Sequence, residues 1–153
     1  MNHAMEGLEL KDLSRSLLDI AWCFGPKGLD GACCQDLGMA EFLALDGIEQ
    51  TVDCPIHRVG STLGFTKSGA TRVVNRLVAK GYVIKRTSGS DARLCCLEVT
   101  DGGRQILSEA YTHYQAILTR VFDTIDPKRK EALKESLRVF STLLMQKDFK
   151  GVR

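Results

Sequence analysis

The stretch TKSGATRVVNRLVAKGYVIKRTSGSDAR, residues 66 to 93, decides how the rest of the chain is read. It sets Lys67, Arg72, Arg76, Lys80, Lys85, Arg86 and Arg93 against a single acid, Asp91, a net of +6 on a chain whose formal total is +2. The remainder is therefore net acidic and the positive charge is local. Thr66 is a good N-cap, and Ala70, Val73, Val74, Leu77 and Val78 recur at helical spacing as one apolar stripe, with Gly81 to end the helix. The opposite face is Lys67, Ser68, Thr71, Arg72, Asn75 and Arg76, all able to donate hydrogen bonds to phosphates or base edges. Two β-prone runs follow, Tyr82 to Thr87 and Leu94 to Val99, joined by Ser88 to Ala92 in what reads as a hairpin. Charge of one sign on a helix followed by a hairpin marks a surface that meets a polyanion; the competing reading is a solvated charged face.

Working outward, Leu10, Leu13, Leu17, Ile20, Ala21 and Phe24 predict a first helix that Gly25-Pro26 stops. Residues 27–36 have loop chemistry, after which Met39, Phe42, Leu43, Leu45 and Ile48 predict a second helix. Thr51, Val52 and Asp53 suit a short strand. Pro55 fits the first turn of a short third helix with Ile56, Val59 and Leu63 inward, because its missing N–H costs nothing there. Beyond the hairpin, a long helix from Thr100 or Asp101 turns Ile106, Leu107, Ala110, Tyr114, Ile117, Leu118, Val121 and Phe122 inward. Asp126 and Pro127 cap a last helix through Met145, with Leu133, Leu137, Phe140 and Leu144 on its stripe. Neither an internal repeat nor a linker interrupts this order, so residues 1–153 read as one mainly α protomer.

Composition agrees with a single domain. Hydrophobic residues at 44% and charged residues at 26% are ordinary globular values and exclude wholesale disorder. No apolar run approaches the roughly 20 residues of a membrane helix, and the first residues lack a basic segment followed by an apolar one. The chain therefore reads as a cytoplasmic protein, mature as written, with no membrane partner. Six cysteines in that compartment point to buried packing, metal ligation or redox sensing rather than a disulfide framework.

Helix, helix, helix-turn-helix, two-stranded wing and two closing helices is an order that resembles the MarR-type winged helix-turn-helix repressors, from about residue 36 onward. Residues 64–83, GFTKSGATRVVNRLVAKGYV, are similar to that family's recognition-helix motif almost position for position. Asp91-Ala92-Arg93, with Thr100 seven residues later, is similar to its wing signature. The resemblance implies a mainly α fold, a winged helix-turn-helix with a two- to three-stranded β wing and terminal helices forming a dimerisation region. Residues 36–100 would then be the DNA-binding winged helix, and 8–35 with 101–148 the helical dimerisation elements. It implies a homodimer on a pseudo-palindromic stretch of double-stranded DNA, acting as a sequence-specific transcriptional regulator. A repressor released by an effector, whether a soft metal, an oxidant or a small organic ligand, is the expected mode. Lys67, Ser68, Thr71, Arg72, Asn75 and Arg76 face the major groove in this scheme. Arg93, buttressed by Asp91, belongs to the wing at the minor groove, with Arg86 as the alternative side chain at the tip.

The same resemblance frames the cysteines. Zinc-sensing relatives take ligands from the loop before the second helix, from that helix and from the long helix after the wing; the matching positions here are Cys33, Cys34, Glu41, Glu109 and His113. Zinc or a softer metal is thus a possible ligand, though no cofactor is required for the fold. Strand alternation sends Cys95 to the core with Leu97 and Val99 and Cys96 away with Glu98, so those two do not chelate one ion together. Cys54 precedes Pro55 at a helix start, a setting that lowers a thiol pKa, while Asp53 pushes the other way. Pairing of residues 51–53 with the wing strand, as in the family, brings Cys54 and Cys96 near each other as a candidate redox pair. Cys23, beside Trp22 and Phe24, is expected to be buried packing.

Two other classes compete. A winged-helix protein-protein interaction module would keep the fold without sequence-specific DNA binding, but loss of the basic face is expected there and the face is present. A thiol enzyme finds no support, since His3, His57 and His113 form no nucleophile and base arrangement and no phosphate loop or metalloprotease motif occurs. Thiol sensing predicts that a variant with Cys33, Cys34, Cys54 and Cys96 all replaced by serine no longer releases DNA when metal or oxidant is added. A response identical to the parent's in a mobility-shift titration contradicts it.

Overall fold

A computed structural model of the chain describes residues 2–25, 37–87 and 95–146. Its elements in chain order are α1 (Asn2–Phe24), α2 (Met39–Glu49), β1 (Cys54–Pro55), α3 (Ile56–Leu63), α4 (Lys67–Ala79), β2 (Val83–Thr87), β3 (Cys95–Val99), α5 (Asp101–Phe122) and α6 (Pro127–Leu144). Both strand pairings are antiparallel, in the order β1-β3-β2. The chain divides into two compact units, Met1–Tyr114 and Gln115–Arg153. No described helix is long and apolar enough to cross a membrane.

In the first unit α4 is the centre of the core. Its stripe of Ala70, Val73, Val74 and Leu77 is buried as the spacing predicts, against Phe42, Ala44, Leu45 and Ile48 of α2, Val59 of α3, Val83, Leu97 and Val99 of the sheet, and Leu107 and Ala110 of α5. Both ends of α4 are closed by their own sequence. Thr66 Oγ1 accepts from the Gly69 N–H at 3.2 Å. At the other end Gly81 takes φ +75°, its N–H donates to Val78 O and the Tyr82 N–H to Leu77 O, the paired bonds of a glycine-terminated helix.

The start of α5 is fastened to the same corner. Thr100 donates its N–H to Tyr82 O and its hydroxyl to Gly81 O, and its Oγ1 accepts from the Gly103 N–H at 3.0 Å. Gly103 makes this approach possible: a Cβ there would collide with the Tyr82 carbonyl oxygen and lie 2.7 Å from Val99 Cγ1.

The sequence expectations need four corrections. Residues 51–53 are not a strand but a tight turn in which Asp53 has φ +49°, and the strand is Cys54–Pro55, paired with Leu97 and Cys96. Pro55 is consequently the residue that caps α3, in extended conformation, rather than part of its first turn. The stripe on α1 is not buried: Leu10, Leu13 and Ile20 are exposed along with Leu18 and Trp22, and only Leu17 and Phe24 are partly covered. In α5 Leu107 and Ala110 are buried, Ile106, Tyr114, Ile117, Leu118 and Phe122 are only partly covered, and Val121 is exposed. Helical spacing reports that a stripe exists but not whether this chain covers it.

The second unit holds the last turns of α5 and all of α6. Asp126 caps α6 as predicted, accepting from the N–H groups of Lys128 and Arg129. Lys130 and Lys134 lie 5.6 and 5.8 Å from the centre of the Phe122 ring, a cation–π geometry. No α6 residue is buried, and Leu137, Phe140, Leu143 and Leu144 are each about 40% exposed or more.

Gly103→Ala is predicted to destabilise the protein by about 3 kcal/mol, the upper part of the range for overpacking, because the obstruction is backbone rather than a movable side chain. A urea midpoint unchanged from the parent contradicts this tight junction.

Candidate nucleic-acid interface

Burying one side of α4 leaves the other facing water. Lys67, Ser68, Arg72, Asn75 and Arg76 are exposed and Thr71 is partly so, as the sequence places them. Thr71 donates its hydroxyl to Lys67 O, which fixes the rotor, and Ser68 Oγ lies 3.1 Å from Thr66 Oγ1. The cations differ in their commitments. Lys67 and Arg72 have no ion-pair partner among the described residues, whereas Arg76 and Lys80 are tied to α2.

The tie is Glu41, 5% exposed and the one charged side chain buried among the described residues. Its Oε1 accepts from Arg76 Nε at 2.7 Å, and its Oε2 from Lys80 Nζ at 2.8 Å and the Gly38 N–H at 3.0 Å. Burial alone would push this carboxyl's pKa up, but the hydrogen bonds from Lys80, the Gly38 backbone and Arg76 outweigh it and hold the pKa below the ordinary value. Glu41 was expected among metal ligands; its oxygens are engaged in this cluster instead. The signal was present in the sequence, since Glu41 lies four residues before Leu45 and seven before Ile48, on the buried stripe of α2.

On the wing, Lys85 Nζ donates to Asn75 Oδ1 at 2.9 Å, joining β2 to α4. With Oδ1 so engaged, the exposed Asn75 amide keeps its NH₂ as a donor. Arg86 pairs through Nε with Glu98 at 2.6 Å across the sheet, yet stays 62% exposed. Asp91 and Arg93 lie outside the described residues.

Cys33 and Cys34 also lie outside them. Glu109 accepts from Gln105 Nε2, and His113 packs edge-on beside Tyr114; among the described residues no three His, Cys, Asp or Glu side chains gather as a metal site. Cys54 is fully buried, and burial pushes its thiol pKa up, with Arg58 opposing and Cys96 adding to the rise. That reverses the lowering expected from a helix start, because Cys54 sits in the strand, inside the core. The register pairs Cys54 with Leu97 and Pro55 with Cys96, so the two thiols are diagonal neighbours whose side chains leave opposite faces of the sheet. Cys96, expected to face away from the core, is nonetheless buried at 6% exposure. Cys23, expected to be packed, is exposed near the end of α1.

A buried three-helix core, a helix with a basic outer face and a three-stranded wing are now placed relative to one another. The family model described as "MarR family" matches residues 35–94, which hold α2, β1, α3, α4 and β2. The solved structure of a MarR family protein from Bacillus stearothermophilus superposes with a TM-score of 0.78 at 17% identity, over 94% of this chain and 98% of that one. The chain has the winged-helix fold of these MarR-type proteins. FabT of Streptococcus pneumoniae, solved in complex with DNA, matches this chain with a TM-score of 0.71 at 22% identity, covering 93% of this chain and 96% of its own. Among curated proteins, the transcriptional repressor MprA of Escherichia coli K12 is 25% identical over 120 residues, 77% of this chain and 68% of MprA.

The Glu41 cluster gives the fold an acid limit. A carboxyl whose folded pKa is depressed contributes stability that is present above its unfolded value, near 4.5, and lost as pH falls through the folded value. Urea midpoints measured from pH 7 to pH 3 should therefore fall in acid, and more shallowly for Glu41→Gln than for the parent. Parallel curves contradict the assignment.

Proposed function

We propose that this chain is a sequence-specific DNA-binding transcriptional regulator that works as a homodimer in the cytoplasm and represses until an effector releases it. The observation that carries the reading is the outer face of α4, where Lys67 and Arg72 stand without ion-pair partners among the described residues, beside Ser68, Thr71 and Asn75. A capped helix with uncommitted cations and short polar side chains is suited to the major groove, and the antiparallel wing beside it to the flanking backbone. The likeness to a repressor and to a fold solved on DNA supports the same reading.

The dimer is supported by apolar surface that each unit leaves uncovered. Leu10, Leu13, Leu18, Ile20 and Trp22 on α1 are about half exposed or more, and α6 shows Leu137, Val139, Phe140, Leu143 and Leu144. Apolar surface of that extent favours association over exposure to water. Two copies joined there present two α4 helices to a pseudo-palindrome. For the effector, a metal, an oxidant or an organic ligand all stand; Glu41 is committed elsewhere, and Cys54 is buried with a raised pKa, so among the described residues the exposed thiol is Cys23.

Arg72→Ala should weaken binding to a duplex selected by the parent protein from a random library about tenfold or more, with the dimer unchanged by sedimentation. The parent's affinity should fall steeply with salt through counterion release. Undiminished affinity of the variant, or a flat salt response, overturns the proposed face in favour of a protein-interaction module.

A further inference from the structure

Glu41 stands on α2, off the outer face of α4, yet it holds Arg76 of that helix and Lys80 at its C-terminal cap. It takes Arg76 by Nε, the nitrogen on the side of the guanidinium, and leaves the side chain 56% exposed. Lys80, one turn on, is held at 2.8 Å and is only 21% exposed. The Gly38 N–H anchors the carboxylate from its own helix. A carboxylate bonded at Nε restrains the plane of the guanidinium, whose terminal nitrogens form the edge that makes bidentate contacts to guanine or phosphate. The same contact cancels positive charge that would otherwise bind any duplex.

We propose that Glu41 is a positioning residue for sequence readout: it sets the direction of the Arg76 fork and restrains the non-specific attraction of Arg76 and Lys80 for DNA. This rests on the DNA-binding reading above. Ordering Arg76 before DNA arrives removes rotamer entropy that binding would otherwise cost. Discrimination between sequences is a difference of affinities, so a residue that lowers affinity for the wrong duplex contributes as much as one that raises it for the right one.

The test compares two probes, a duplex selected by the parent protein from a random library and a random-sequence duplex of equal length. Glu41→Gln keeps the size of the side chain and an oxygen for Gly38 but cannot hold two cations. It should lower the ratio of specific to random affinity about tenfold, leave random-duplex affinity equal or higher, and steepen its salt slope by about one for each cation released to a phosphate. A merely structural role lowers both affinities together, and that outcome, or an unchanged ratio, overturns the proposal. Arg76→Lys, which keeps the charge opposite Glu41 but lacks the fork, decides the matter should Glu41→Gln fail to fold: the ratio should again fall about tenfold, and a parental ratio overturns the proposal. If the parent itself enriches no sequence from the library, the DNA-binding reading falls first and this one with it.

Discussion

The structure depends on the exclusion of water from one side of α4. Val74, Leu77 and Leu45 are wholly inaccessible and Val83 nearly so, and burying each contributes about 1.5–3 kcal/mol. That contact joins α2, α4 and the first wing strand, so the apolar stripe fixes which way the polar face of α4 points. Lys67 and Arg72 face outward because Ala70, Val73, Val74 and Leu77 cannot. The polar chemistry of this face is thus a consequence of core packing, with Glu41, among the described residues, the one buried charged group at the boundary between them.

Elements whose signals are local could be read in the sequence. The Thr66 cap, the stripe of α4, the glycine stop at Gly81, the antiparallel wing runs and the Asp126-Pro127 start of α6 each rest on residues within a turn or two of one another. What was not legible depends on partners distant in the chain. Residues 51–53 are β-prone enough for a strand, but β3 meets Cys54 and Pro55 instead, and the preceding residues are needed for the turn. Exposure of the α1 and α6 stripes is likewise invisible to periodicity, which reads the same whether a stripe is covered by its own chain or by another.

The site divides the same way. The outward donors of α4 follow from its helical phase, while the engagement of Arg76 and Lys80 by Glu41 spans 35 and 39 residues of sequence. The cysteines make the contrast sharper. Alternation alone sends Cys96 away from the core, and packing buries it all the same; proximity to a helix start lowers a thiol pKa, and burial of Cys54 overrides it.

The corner at Gly103 has a mechanical meaning. Tyr82 O receives the Thr100 N–H, Gly81 O receives the Thr100 hydroxyl, and the absent Cβ lets α5 sit directly on that backbone. The last turn of α4, the root of the wing and the first turn of α5 therefore share one rigid joint with no slack between them. A rotation of the start of α5 would bear directly on α4 and the wing, with no intervening loop to absorb it.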